Sequence, residues 1–214
     1  MTRAAGAVRT NGRIKTTPVL LWPTQITMSQ FSHVEALNRK LLDLIKSRGF
    51  WTSHYEAGGD LWRYHAACPA LGELRGMFEQ CAHTWLKQAR LPPRTIERQR
   101  AWTYRYAQGE YVDIHDHAHV ALAGVYYIEV PPSMANGAKS SLRTPKDGGQ
   151  LVFHDCRRGI SDIVREWQQK PFHAIQPRVG MLVTFPGYLL HQVKPFLGPG
   201  MRSIASNNIW FRWD

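Results

Sequence analysis

The sequence lacks most of what would take it into a membrane or a disulfide framework. No apolar run approaches the roughly 20 residues that a bilayer-crossing helix requires, and the N-terminus has no secretion-signal core. Cysteine is scarce. Cys68, Cys81 and Cys156 are odd in number and none are spaced as CxxC, which argues against a stapled secreted scaffold and for a reducing, cytoplasmic setting. There is no internal repeat. Acids are missing from residues 1–20, which carry Arg3, Arg9, Arg13 and Lys15, so residues 1–17 are expected to form a disordered basic arm.

What is present fits one globular unit. A chain of 214 residues with 43% hydrophobic content is expected to hold a single domain over 18–214. The net charge of +11 invites a nucleic-acid reading. However, outside the arm and Arg157-Arg158 the positive residues are scattered, and no nucleic-acid motif appears. The charge is better assigned to solubility and to attraction of an anionic small molecule. Nothing in the sequence specifies an oligomeric state.

Apolar periodicity divides the chain into a helical support (30–90) and a β-rich part (100–212). Residues 18–28 read as an opening strand. Phe31, Val34, Leu37, Leu41, Leu42 and Ile45 recur at helical spacing over 30–48, and Leu71, Leu74, Met77, Phe78, Cys81 and Leu86 do so over 70–90. Strands rich in β-branched and aromatic residues follow at 101–106, 110–117, 120–130, 149–154, 172–176, 181–185, 189–194 and 202–212. A helix around 160–169 and a long polar loop at 131–148 interrupt them. The expected fold class is α+β: a double-stranded β-helix (jelly-roll, cupin-like) core with N-terminal helices packed on one face.

Chemistry concentrates in the run Arg105 to His117. Side chains at i and i+2 of a strand share a face, so His115 and His117 can aim both imidazoles at one point. His191 supplies a distant third, the layout of a facial metal site with open positions. Asp113 and Asp116 are the neighbouring acids that could stand in for one imidazole. Arg202 lies 11 residues beyond His191, past Gly198-Pro199-Gly200. It is expected on the antiparallel partner strand beside that histidine, poised to grip a carboxylate. Parity puts Ser206 and Asn208 on the face of Arg202, and Asn207 on the other. His119 and His154-Asp155 are candidates to line the same pocket, while Trp102, Trp210 and Trp213 read as core.

These fragments, taken in order, resemble the 2-oxoglutarate-dependent Fe(II) oxygenases on the prolyl-4-hydroxylase-like side of that superfamily. Arg105-Tyr106-Ala107-Gln108-Gly109-Glu110-Tyr111 precedes His115 as the family's Arg-Tyr-x-x-Gly-x-Tyr precedes its first metal histidine. Val125-Tyr126-Tyr127-Ile128, Gly148-Gly149-Gln150-Leu151-Val152-Phe153 and Gly180-Met181-Leu182-Val183-Thr184-Phe185-Pro186 match its later strands. The string His115-Asp116-His117 and the opening Trp22-Pro23-Thr24 are similar to a bacterial branch with a His-x-His motif. The resemblance implies Fe(II) on His115, His117 and His191. It also implies 2-oxoglutarate and O2 as co-substrates, with the 2-oxoglutarate held by Arg202, by Tyr104 or Tyr106, and by Asn208. The implied reaction hydroxylates an unactivated C–H bond of a small amino-acid-like or acidic metabolite, with release of succinate and CO2. One departure stands out: the superfamily motif is His-x-Asp, and His117 occupies the Asp slot. The rival readings are a three-histidine cupin dioxygenase that uses no 2-oxoglutarate, and a non-catalytic jelly-roll binding module.

Overall fold

A computed structural model describes residues 24–48, 60–135, 148–155 and 172–212. The basic arm, the helix expected at 160–169, most of the 131–148 loop, Arg157-Arg158 and Trp213 lie outside these. Two antiparallel sheets form the core. The first has the strand order β1 (Thr27–Gln30), β7 (Met181–Pro186), β4 (Leu122–Glu129), β9 (Arg202–Phe211), β2 (Ile96–Tyr106). The second has the order β3 (Val112–His115), β8 (His191–Val193), β5 (Leu151–His154), β6 (Phe172–Ile175). The eight strands from β2 onward make the expected jelly roll.

Helices α1 (Glu35–Arg48) and α2 (Pro69–Gln88) cover the outer face of the first sheet. Helix α1 begins later than the apolar period suggests. Phe31 still donates its N–H to Gly180, and His33 has φ of 58°, a left-handed conformation that no helix accommodates. Its Leu37, Leu41 and Ile45 face Leu71, Leu74 and Phe78 of α2. Pro69 opens α2 where a missing N–H costs nothing. The helices meet β4, whose residues are nearly all buried, because its two faces serve two cores. Tyr126 and Ile128 join the helical cluster, whereas Ala123, Val125 and Tyr127 join the cluster between the sheets. Gly124 lets the Phe78 ring lie against the sheet, since a Cβ there would stand 2.9 Å from Phe78 Cε1. Truncating Phe78 would cost about 3–5 kcal/mol.

Two expectations are corrected, and one element is new. The first strand is Thr27–Gln30, paired with β7, rather than 18–28, of which only 24–28 is described. A 3-10 helix at Leu61–Ala67 went unanticipated. It is fixed by Asp60, which accepts the N–H of Ala101, and by the Trp62 indole, which donates to Asn207 Oδ1. Finally, Arg202 is not on the strand beside His191. β8 pairs with β3 and β5, while β9 pairs with β2 and β4. The chain between them changes sheets, as successive strands of a jelly roll do, and Arg202 lies opposite Tyr106.

Candidate metal and co-substrate site

The inner face of the first sheet is ruled by period-2 alternation. Even-numbered residues of β2 (Trp102, Tyr104, Tyr106) and β9 (Ile204, Ser206, Asn208) line a cavity of about 370 Å³ that also takes in His115, His117 and His191. Trp102 therefore belongs to the cavity wall, not to the core, with its ring 6.0 Å from that of His117. Asn207 points the other way, into hydrogen bonds with Trp62 and Gln99.

His115 and His191 are cross-strand partners in the β3–β8 ladder. Each Nδ1 lies 2.8 Å from a backbone carbonyl two residues upstream, of Asp113 and Leu189 respectively. A carbonyl accepts, so each Nδ1 carries the proton and each Nε2 presents a lone pair. β3 ends at His115, and His117 is instead held by its backbone N–H, which donates to Gly187 O at 2.8 Å. The turn requires glycine: a Cβ on residue 187 would sit 2.3 Å from Val120 O and 2.8 Å from His117 O. One ligand nitrogen from each histidine falls within 4.8 Å of the others, so the three could hold a single metal ion. Among the described residues, no acid joins this cluster. Asp113 is exposed, with Oδ1 accepting the Ile114 N–H, and exposed Asp116 stands at the cavity wall. Burial, then the neighbouring His115, lowers the pKa of His117 to about 4, and burial chiefly lowers that of His191 to about 3. Both are neutral at pH 7, the form that binds metal.

Arg202 is fully buried. Its Nη1 donates to the carbonyls of Gly149 (3.0 Å) and Lys194 (3.3 Å), bridging to the second sheet. Its guanidinium carbon lies 4.2 Å from the Tyr106 ring centre and 5.6 Å from that of Phe196. Among the described residues, Nε and Nη2 have no acceptor and no carboxylate pairs with the charge. Such a group is costly to bury unless an anion completes it, and the distal carboxylate of a dicarboxylic acid fits that need. Tyr106 offers Arg202 its face. Tyr104 stacks on Tyr106 at 3.9 Å and lines the cavity. The hydroxyl that the sequence reading overlooked is Tyr127. It is buried and without a partner among the described residues, and burial holds its pKa up at about 12 against the pull of Arg202. Its signal was parity: Tyr127 shares a face with Val125, itself part of the cavity wall.

Two further candidates do not reach the cavity wall. His119 has φ of 66° and is exposed, with its carbonyl accepting from the Trp210 indole. His154 instead lies 2.9 Å from Gln192 Nε2.

Residues 100–208 match a family model described as "Putative 2OG-Fe(II) oxygenase". No curated protein matches the sequence. The chain is similar in structure to a prolyl-4-hydroxylase from Pseudomonas putida, with 17% identity, 89% of this chain and 94% of that one covered, and a TM-score of 0.59. It is also similar to a Trichoplax adhaerens prolyl hydroxylase solved with a hypoxia inducible factor peptide (15% identity, 86% and 83%, TM-score 0.58). A third likeness is to HygX from Streptomyces hygroscopicus with nickel and 2-oxoglutarate bound (12% identity, 87% and 81%, TM-score 0.53). At these identities the likeness is one of fold.

Proposed function

Because the chain belongs to the 2OG-Fe(II) oxygenase family, whose model spans residues 100–208, we propose that it hydroxylates an unactivated C–H bond of a small, amino-acid-like molecule. Enzymes of this family use Fe(II), 2-oxoglutarate and O2. When bound, the metal and its co-substrates supply oxidative decarboxylation to succinate and CO2, coupled to oxidation of the substrate. In our reading His115, His117 and His191 hold the metal, with the backbone-bonded Nδ1–H groups of His115 and His191 fixing their Nε2 atoms toward it. Arg202 takes the distal carboxylate of 2-oxoglutarate on its unused Nε–H and Nη2–H. Tyr106 supports the cation from below, Tyr104 walls the co-substrate channel, and the Tyr127 hydroxyl completes the cradle. The apolar surroundings keep water from these charges.

The observation that carries this reading is the pairing of a three-imidazole cluster with a fully buried, anion-seeking arginine on the facing sheet. A cupin dioxygenase without 2-oxoglutarate has no use for that arginine, and a binding module that used it for an anion would form no succinate. With Arg202 assigned to 2-oxoglutarate, the described cavity wall, which carries Asp116 and neither lysine nor arginine, offers an acidic metabolite no cation of its own. No described helix is long and apolar enough to cross a membrane, and we place the activity in the cytoplasm. Anaerobic mixing with Fe(II) and 2-oxoglutarate should produce the visible absorption of a 2-oxoglutarate–iron complex, and admission of O2 should yield succinate. Absence of both overturns the reading.

A further inference from the structure

The inner face of β9 runs Arg202, Ile204, Ser206, Asn208, of which the last three line the cavity, and the strand partners order them along the sheet. Arg202 is opposite Tyr106, Ser206 is opposite Trp102, and Asn208 lies between Arg100 on β2 and Ala123 on β4. The His117 ring is 6.0 Å from that of Trp102 and 6.5 Å from that of Phe185, and Phe185 pairs with Ala123. His117 thus sits over the Ser206–Asn208 stretch, whereas Arg202 lies six residues, about 20 Å, from Asn208 along the strand. A co-substrate stretched from Arg202 to the histidines occupies the 202–206 stretch. Asn208 is beyond that stretch, at the end of the inner face away from Arg202.

Asn208 is 1% exposed, yet it lines the cavity, and among the described residues neither its Nδ2 nor its Oδ1 has a hydrogen-bond partner. Buried carboxamides are normally satisfied, and this one presents a donor and an acceptor side by side. A carboxylate would serve Nδ2 and repel Oδ1. An ammonium or amidinium would do the reverse. A planar amide edge, with C=O and N–H adjacent, serves both at once.

We infer that Asn208 recognises the molecule to be oxidised, rather than 2-oxoglutarate, and that this molecule presents an amide edge with C=O and N–H on one side: a primary carboxamide or a lactam, not a trans peptide bond, whose two groups point opposite ways. The inference rests on the oxygenase reading above and narrows its substrate class. Leaving Asn208 unpaired is what would penalise a substrate that lacks the edge.

The test uses the full chain loaded with Zn(II), a diamagnetic stand-in for Fe(II), and 2-oxoglutarate. Benzamide, benzamidine and benzoate serve as same-shape probes, followed by ligand-observed NMR. The wild type should prefer benzamide to both others. Asn208→Asp keeps the shape but turns the donor–acceptor pair into two acceptors. It should weaken benzamide by at least about tenfold and shift the preference to benzamidine. Asn208→Ala should lose the preference altogether. In both variants the affinity for 2-oxoglutarate, read from the anaerobic band of the Fe(II) form, should stay within about twofold of the wild type. No benzamide preference in the wild type, an unchanged preference in Asn208→Asp, or a loss of 2-oxoglutarate affinity matching the loss of benzamide would each overturn the inference. If Asn208→Ala does not fold, the isosteric Asn208→Asp decides alone. Failure of the oxygenase reading itself looks different: the wild type shows no anaerobic band and makes no succinate, whatever the benzamide result.

Discussion

His115 and His191 face each other directly across the β3–β8 ladder, their ring centres 4.2 Å apart. Two short strands thus fix two of the three imidazoles, while a turn fixes the third. Loss of a residue that merely orients a ligand typically costs 10- to 100-fold in metal affinity, so loss of a ligand costs more. His117→Ala should therefore weaken Fe(II) binding by roughly a hundredfold or more. His117→Asp should retain a tight site with one unit less positive charge. Competition with a chromophoric chelator measures both, and unchanged affinity in His117→Ala would remove that residue from the ligand set.

Arg202→Met separates binding from stability. The side chain is buried with two unused donor nitrogens, so an apolar replacement of similar volume relieves an uncompensated charge. The metal-free variant should be as stable as the wild type or more so in urea, while 2-oxoglutarate affinity should fall by at least about thirtyfold, the equivalent of about 2 kcal/mol. If stability falls sharply while affinity holds, the arginine is a structural bridge to Gly149 and Lys194.

Tyr127→Phe removes a buried hydroxyl that has no partner among the described residues. Unfolding free energy should change by less than about 0.5 kcal/mol, and 2-oxoglutarate affinity should drop by roughly three- to tenfold, the worth of one neutral hydrogen bond. Isothermal titration of the metal-loaded protein reads the second quantity.

Much of this was legible because a strand's period of two is rigid. Parity along β9 put Arg202, Ser206 and Asn208 on one face and Asn207 on the other, and the structure agrees. Parity fails where a strand stops. β3 ends at His115, so the extrapolation to His119 fell on a residue in a left-handed turn. Proximity in sequence misled once: the Gly-Pro-Gly segment before Arg202 looked like a hairpin, but the chain crosses to the other sheet. Trp102 was misassigned because an aromatic side chain packs as well on a cavity wall as in a core. The 3-10 helix at Leu61–Ala67 left no apolar period to read, since Leu61 and Trp62, which join the helical core, are adjacent and the remaining anchor is the polar contact of Asp60.

Gly187→Ala should act on metal binding from outside the ligand set. The added Cβ collides with Val120 O and His117 O, which forces apart the turn that accepts the His117 N–H. We expect roughly 10- to 100-fold weaker metal binding, as for other changes that misorient a ligand. Stability should fall by about 1–3 kcal/mol, a cost typical of overpacking. Gly109→Ala is the control. Its φ is positive, at 84°, but a Cβ there meets nothing within 4 Å. It should lower stability while leaving metal affinity near that of the wild type.

The two depressed histidines make the stability of the metal-free protein pH-dependent in a defined direction. His117 and His191 have folded-state pKa values of about 4 and about 3, against an ordinary 6.5. Between those limits the unfolded chain binds protons that the folded protein refuses, so stability rises with pH. The contribution is complete above pH 6.5 and is lost as pH falls toward 4 and then 3. At about 1.4 kcal/mol per unit, going from pH 6.5 to 5 should cost up to about 2 kcal/mol for each histidine. Urea unfolding at pH 7, 6 and 5 measures the slope, and carboxylates, which titrate lower, contribute little there. His117→Ala should flatten that slope by about 1 kcal/mol or more over the same range. Parallel curves for the wild type and the variant would mean that the folded protein protonates His117 as readily as the unfolded chain does, and that its imidazole is not held neutral for a metal.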